Sequence, residues 1–226
     1  TREEYSRSHG RDKESKRIEL ENALRKLLEL ESGIKAPKIL PFSYKHFFAD
    51  IMANGGFDIV LMNPPYIRQE DIGKLPGQDP TNYKNEVAED LSSLTDERFA
   101  PNKQSDSAVY FHVRSLSLLK NGGIAIVIAT SKWLDVAYGV PLQEYLLSAS
   151  KIQYVYDSID RSFAADVNTV ITIIQKTTDS IQSSLVKFVY LKMAYGQTTE
   201  KVLKEIQEKK DTGVFFTSQY RLTSIN

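Results

Sequence analysis

The sequence contains no cysteine, which excludes disulfides, thiol catalysis and thiolate metal sites. Long apolar runs are also absent: the longest, Ile124 to Ala129, is far shorter than the roughly 20 residues of a membrane-spanning helix. The first residues are charged rather than basic and then apolar, so no secretory signal is visible. We therefore expect a cytoplasmic protein without membrane contact.

The sequence also has no excess of either positive or negative charge. The 29 basic and 29 acidic side chains cancel, so the net charge does not indicate a nucleic-acid partner. The histidines, His9, His46 and His112, are scattered without the spacing of metal ligands. We expect these histidines to be solvated or packed, and we predict no metal site.

The composition is that of a globular chain. With 226 residues, 41% of them hydrophobic and 26% charged, the chain can form one large domain or one domain with an appendage. It begins at Thr1 rather than at a methionine, and we expect it to be a piece of a longer protein.

Hydrophobic periodicity predicts an α/β protein, in which strands and helices alternate. An apolar stripe first predicts an amphipathic helix over Asp12 to Ser32, capped by Gly33. The predicted strands are Phe57 to Met62, Ile124 to Thr130 (buried on both faces), Ile152 to Tyr156, Val167 to Gln175 and Leu185 to Leu191. The other predicted helices begin at Ser105, Asp106 or Ser107 and end at Asn121-Gly122-Gly123, or cover Pro141 to Ala149 and Thr199 to Lys210. A long loop is predicted from Ile67 to Ser105, with a net charge of −3.

The most informative residues are Asn63-Pro64-Pro65-Tyr66, directly after the first predicted strand. Ligands of open α/β sheets bind at the carboxyl ends of strands. Pro65 keeps Pro64 extended, so the Asn63 carboxamide and the Pro64 carbonyl can act as two fixed acceptors for a planar amino group. Tyr66 offers an aromatic face for a flat ring. The alternative is a Pro-Pro turn with a buried asparagine and a core tyrosine.

These residues resemble a known family. Gly55 to Ile67 is similar to the catalytic motif of amino-group DNA methyltransferases, and most similar to the adenine-specific methylases of type IIG restriction-modification systems. Three further segments match in the family's order: Asp106 to Phe111, Gly122 to Leu134, and Phe163 to Ile174. The resemblance extends from about His46 to Gln175.

The resemblance implies a partial Rossmann-like methyltransferase fold, made of its later strands, with Val167 to Gln175 running antiparallel. It implies methyl transfer from S-adenosylmethionine to adenine N6 in a specific sequence of double-stranded DNA. The base would be swung out of the duplex, with Asn63 and Pro64 accepting its amino hydrogens in a loop that Pro65 shapes. Tyr66 and Phe163 would stack on the two faces of the base.

The sequence also departs from the family. The family holds the methyl donor with a Gly-rich loop and an acidic residue, and both are missing here. The glycines before Asn63 are only Gly10, Gly33, Gly55 and Gly56. The residues that bind the cofactor are therefore unknown in this chain. We predict a helical insertion or linker in 1–45, the C-terminal part of a catalytic domain in 46–176, and in 177–226 a connection toward a target-recognition domain. The cofactor-binding half would precede the chain, and most of the grip on DNA would follow it.

Two alternatives remain open at this point. The same tetrapeptide would suit a glutamine amide in a protein or an amino group in RNA. A non-catalytic DNA-binding or assembly module could also retain this fold.

Overall fold

Strands and helices alternate in the structure, a computed structural model that describes residues 10–32, 42–74, 79–159, 167–178 and 185–226. The chain forms two compact units, residues 1–54 and 55–226. The predicted stacking residue Phe163 and the predicted helix cap Gly33 lie outside the described residues.

The first unit is helical. Its helices are α1 (Gly10–Ser32), α2 (Tyr44–Phe47) and α3 (Ala49–Ala53), and α1 confirms the helix expected from the apolar stripe. Leu24 of that stripe is buried. Among the described residues of the chain, no helix is both long and apolar enough to cross a membrane.

The second unit contains a seven-stranded sheet. Its elements in chain order are β1 (Phe57–Met62), α4 (Pro80–Leu94), α5 (Ser107–Leu118), β2 (Leu119–Thr130), α6 (Val140–Ala149), β3 (Ser150–Ser158), β4 (Thr169–Lys176), β5 (Val186–Leu191), α7 (Glu200–Glu208), β6 (Gly213–Phe216) and β7 (Tyr220–Ile225). Short 3-10 turns at Ser131–Leu134, Ala137–Gly139 and Tyr195–Gln197 complete it.

The strand order is β1-β2-β4-β3-β5-β7-β6. β1 runs parallel to β2, and β3 runs parallel to β5, whereas β4 is antiparallel to both of its neighbours, β2 and β3. The predicted α/β class and the antiparallel direction of this one strand are both confirmed. The sheet is Rossmann-like, with β1 at one edge.

The two faces of the sheet differ beside β1. On one face, Ala125 and Val127 of β2 are fully buried in a core that includes residues of α5 and α6. On the other face, Ile59 and Leu61 of β1 are 63% and 72% exposed, and Ile126 of β2 is only half-buried. The prediction that β2 is buried on both faces is therefore wrong for this chain, because its side chains on the second face, such as Ile126, are only half-buried.

The predicted loop from Ile67 to Ser105 contains a helix that the sequence reading missed. Asp79 caps α4, since its Oδ1 accepts hydrogen bonds from the amides of Thr81 (2.8 Å) and Asn82 (2.9 Å). Pro80 takes the first helical position, where a missing N–H costs nothing. The Asp-Pro pair was the available signal.

Two other features differ from the prediction. Helix α5 ends at Leu118, and Asn121-Gly122-Gly123 lies inside strand β2 rather than at the end of the helix. The last residues, read as a connection, instead form the hairpin β6–β7, which joins the same sheet through β5. Strands this short, with a distant partner, give little signal in the sequence.

Candidate active site at the edge of the sheet

The tetrapeptide Asn63-Pro64-Pro65-Tyr66 follows β1 at its carboxyl end, where the sequence analysis expects a ligand site. Pro64 is buried, Tyr66 is half-buried, and Asn63 and Pro65 are exposed. The end of the parallel strand β2, at Thr130, lines the same cavity as Tyr66. The exposed asparagine does not fit the alternative of a purely structural turn with a buried asparagine and a core tyrosine.

The two proposed acceptors differ in their present partners. The Tyr66 hydroxyl donates a hydrogen bond of 2.8 Å to Asn63 Oδ1, and burial raises the pKa of Tyr66, so this donor keeps its proton. A carboxamide oxygen has two lone pairs, and one is still available for a ligand. The Pro64 carbonyl accepts no hydrogen bond within the part of the chain that the structure describes.

A cavity of about 410 Å³ opens beside the tetrapeptide. This volume lies within the range of about 300–1,000 Å³ that is usual for small-molecule pockets. Its lining combines an aromatic face with polar and charged groups, among them Tyr66, Arg68, Asp106, Thr130, Lys132 and Tyr138. A flat polar heterocycle is a suitable occupant of such a pocket.

Asp106 organises one part of the lining of this cavity. Its Oδ1 accepts from the amide of Ala108 (3.1 Å) and so caps α5. Its Oδ2 accepts from the hydroxyls of Thr130 (2.9 Å) and Tyr138 (3.0 Å). One carboxylate therefore joins the start of a helix, the end of a strand and the turn after it. From the sequence, Asp106 is a possible cap of the helix and the first residue of a segment that resembles the family, but its contacts with Thr130 and Tyr138 depend on tertiary structure.

Tyr138, in the same lining, stays protonated. Burial, together with the nearby Asp106 carboxylate, raises the pKa of Tyr138 far above its ordinary value. Its hydroxyl therefore remains a hydrogen-bond donor to Asp106 at physiological pH, and Tyr138 does not itself serve as a general base.

The remaining sequence candidates do not contribute to this cavity as described. His112 is fully buried, which agrees with the expectation of a solvated or packed histidine, and Trp133 beside it is 1% exposed. No cluster of histidine, aspartate and glutamate that could hold a metal occurs among the described residues. Phe163 itself is not described, but Val167, the first described residue after it, lines the cavity.

Gly55 and Gly56 come directly before β1, and Gly56 has a structural role at the start of this strand. Gly56 has φ +120°, and a Cβ there would lie 2.4 Å from the carbonyl oxygen of Leu118. It permits β1 to start beside the chain that enters β2. Neither Gly55 nor Gly56 follows a described strand, so these two glycines do not form the Gly-rich part of a site for a methyl donor.

Comparison with known proteins gives a consistent picture. The sequence profile of the family "Eco57I restriction-modification methylase" matches residues 5–163. The Type II methyltransferase M.XhoI of Xanthomonas vasicola is 30% identical over 123 residues, which cover 53% of this chain and 20% of that protein. The Type II methyltransferase M.PaeR7I of Pseudomonas aeruginosa is 30% identical over 114 residues, or 50% of this chain and 17% of that protein. The chain thus spans about a fifth of the length of these curated relatives.

Among solved structures, the type IIG restriction endonuclease BpuSI resembles this chain with a TM-score of 0.56. The alignment covers 76% of this chain and 19% of BpuSI, at 14% sequence identity. This likeness concerns the fold alone.

Proposed function

Because the chain belongs to the Eco57I restriction-modification methylase family, we propose that it carries the catalytic loop of a DNA methyltransferase that acts on adenine N6. The observation that carries this proposal is the pair of acceptors at the carboxyl end of β1. The Pro64 carbonyl accepts no hydrogen bond within the described residues, and the exposed Asn63 carboxamide lies beside an aromatic ring.

The chemistry of the target explains why two fixed acceptors are useful. The lone pair of an exocyclic amino nitrogen is delocalised into the ring, so this nitrogen is a poor nucleophile. Hydrogen bonds from its two hydrogens to Asn63 Oδ1 and the Pro64 oxygen draw the nitrogen toward tetrahedral geometry. Acceptors that are already in place for the charge that develops in the transition state accelerate a reaction. S-adenosylmethionine supplies the electrophilic methyl group.

The base must leave the duplex to reach these acceptors. Tyr66 offers one face for stacking, and the proposal assigns the opposite face to Phe163. Stacking of a base on an aromatic side chain is worth about 1–3 kcal/mol. The substrate amino group would also share Asn63 Oδ1 with the Tyr66 hydroxyl or displace it.

We further propose that a preceding part of the polypeptide provides the site of the methyl donor. Within the described residues, β1 pairs with β2 alone, and Ile59 and Leu61 present an apolar surface on the same strand. A cofactor-binding half that pairs with the free edge of β1 and covers these side chains would complete both the sheet and the site. We also propose that a target-recognition domain after the chain supplies most contacts to DNA phosphates, because phosphate contacts need basic side chains and the segment from Ile67 to Ser105 has a net charge of −3.

Methyl transfer by the full-length protein tests the proposal. Labelled S-adenosylmethionine is offered with DNA, RNA or protein, and the modified nucleosides are identified by mass spectrometry. We expect N6-methyladenine in DNA, and a loss of roughly 100-fold or more in rate for Asn63→Ala, since one lost transition-state hydrogen bond costs about that much. Asn85→Ala, at an exposed asparagine of α4, is the matched control and should be fully active.

Each other outcome would be decisive. Label in glutamine or in RNA would replace DNA as the substrate. Methylated cytosine would keep the amino-group chemistry but exclude adenine. A protein that transfers methyl groups to no acceptor, with Asn63 intact, would favour a non-catalytic DNA-binding module.

A further inference from the structure

The first residue of helix α5 contacts the catalytic loop through both its side chain and its backbone. The Ser107 hydroxyl donates to the carbonyl of Pro65 (2.7 Å) and accepts from the amide of Ile67 (2.9 Å). The Ser107 amide donates to the carbonyl of Ile67 (3.1 Å). One buried serine, 5% exposed, therefore joins the loop to the helix.

The residues that Ser107 binds lie on either side of Tyr66. Fixing the peptide groups of Pro65 and Ile67 limits the backbone rotations that aim the Tyr66 ring. The Tyr66 hydroxyl in turn holds Asn63 Oδ1 at 2.8 Å. Ser107 is thus linked, through Tyr66, to the carboxamide of Asn63.

Ser107 lies behind the catalytic loop and does not line the cavity beside Tyr66. Ser107 lines a neighbouring cavity of about 400 Å³, between α4 and α5, together with Pro65 and Ile67. Among the described residues that line the pocket with Tyr66 and Asp106, Ser107 does not occur. Any effect of Ser107 on a bound base must therefore pass through the loop.

The start of α5 is itself held in place. Asp106 caps the helix and is bonded to the end of β2 and to Tyr138. The hydroxyl of Ser107 consequently extends from a fixed point, rather than from a mobile helix end. A rigid support of this kind is what a reacting group needs, because a misplacement of about 1 Å can cost roughly 100-fold in rate.

We propose that Ser107 is a positioning residue, which sets the orientation of Tyr66 and Asn63 for methyl transfer. This inference rests on the proposed function. The start of α5 would then maintain the relative positions of the two acceptors and the stacking ring when the base enters.

Three variants of the full-length protein test this role. Ser107→Ala removes both side-chain hydrogen bonds. Ser107→Thr retains the hydroxyl, and the neighbouring cavity has room for its extra methyl group. Ser115→Ala is the matched control, because Ser115 is a fully buried serine of the same helix whose hydroxyl bonds only to the carbonyl of His112 (2.7 Å) among the described residues.

We expect Ser107→Ala to lower kcat roughly 10- to 100-fold, while KM for DNA stays within about threefold of the wild type because no DNA contact is removed. Ser107→Thr should recover most of kcat, and Ser115→Ala should leave it unchanged. Hydrogen exchange at the Ile67 amide should be faster in Ser107→Ala than in Ser115→Ala, because Ile67 loses one of its acceptors.

Equal kcat in the two alanine variants, or equal exchange at Ile67, would overturn the inference. A wild-type protein that methylates no DNA would refute the proposed function instead. In that case the exchange rates alone still decide whether Ser107 holds the loop.

Discussion

Acidification from pH 7 to pH 4 should destabilise the protein through one buried side chain, His112 of helix α5. His112 is 0% exposed, and its Nδ1 lies 2.7 Å from the carbonyl oxygen of Ala108. A carbonyl only accepts hydrogen bonds, so Nδ1 carries the proton and Nε2 is bare. Nε2 has no partner among the described residues, and the ring packs against Trp133 with centroids 5.1 Å apart. A second proton would place a positive charge in this core.

Burial lowers the pKa of His112 to about 4, against the opposing effects of the Ala108 carbonyl and the Asp106 carboxylate, whereas the ordinary value is 6.5. Above pH 6.5 the side chain is neutral in both states, and the protein has its full stability. Between pH 6.5 and about pH 4, His112 is protonated in the unfolded chain but stays neutral in the folded chain. The free energy of unfolding therefore falls as the pH is lowered through this range. At about 1.4 kcal/mol per pH unit, the loss is roughly 1 kcal/mol at pH 6, 2 at pH 5 and 3 at pH 4.

Urea unfolding at several pH values, followed by the fluorescence of Trp133, measures this loss. His112→Phe is the comparison variant, because it keeps an aromatic ring against Trp133 and cannot bind a proton. Carboxylates titrate in both proteins, so the difference between the two curves isolates His112. Parallel loss of stability in the wild type and the variant between pH 7 and pH 4 would refute the reasoning. An NMR titration of the His112 ring should show no protonation above about pH 5.

Three further substitutions test other parts of the structure. Gly56→Ala places a methyl group 2.4 Å from a backbone carbonyl at φ +120° and should lower the urea midpoint well below that of Gly122→Ala, where nothing lies within 4 Å. Asp106→Ala should cost about 3 kcal/mol in the same unfolding experiment, because a helix cap and two charge-assisted hydrogen bonds are lost. Asp106→Asn should cost less, about 1–2 kcal/mol, because its single carboxamide oxygen can still cap α5, whereas its NH2 group cannot accept from Thr130 and Tyr138. In methylation assays, Tyr66→Ala should be roughly 10- to 100-fold slower than the wild type, whereas Tyr66→Phe, which lacks only the hydrogen bond to Asn63, should retain most activity. Equal rates for these two variants would contradict stacking by Tyr66.

Strands β1 and β2 could be predicted because their own composition determines them. Apolar runs such as Phe57–Met62 and Ile124–Thr130 have few alternatives to a strand, but the expectation of a buried strand fails for β1, where Ile59 and Leu61 are exposed. Helix α4 was missed for the opposite reason. Of its residues only Leu91 is fully buried, so no apolar stripe marks it, and the cap at Asp79 was the remaining signal. The hairpin β6–β7 depends on pairing with β5, which local pattern does not reveal.

The candidate site divides in a similar way. The tetrapeptide and its place at a strand end could be read from the sequence, because a Pro-Pro pair constrains its own backbone. The hydrogen bonds that Asp106 makes to Thr130 and Tyr138 could not, since these residues are 24 and 32 positions away in the chain. Only the packing of α5 against β2 brings them together. The anchoring of the loop by Ser107 has the same origin.

The motif follows the edge strand β1, which has a described neighbour on only one side. In the described structure the loop is bonded to Ser107 at the start of α5, and that helix start is held by the bonds of Asp106 to Thr130 and Tyr138. Beyond β1 the structure describes no neighbouring strand, and Ile59 and Leu61 are exposed there. Under the proposed function, the methyl donor would approach the target nitrogen along its lone pair, away from the two hydrogens that Asn63 and Pro64 hold, because nitrogen, methyl carbon and sulfur are in line during the transfer. Under the proposed function, the exposed side of β1 is therefore where we expect the methyl-donor site to join the described sheet.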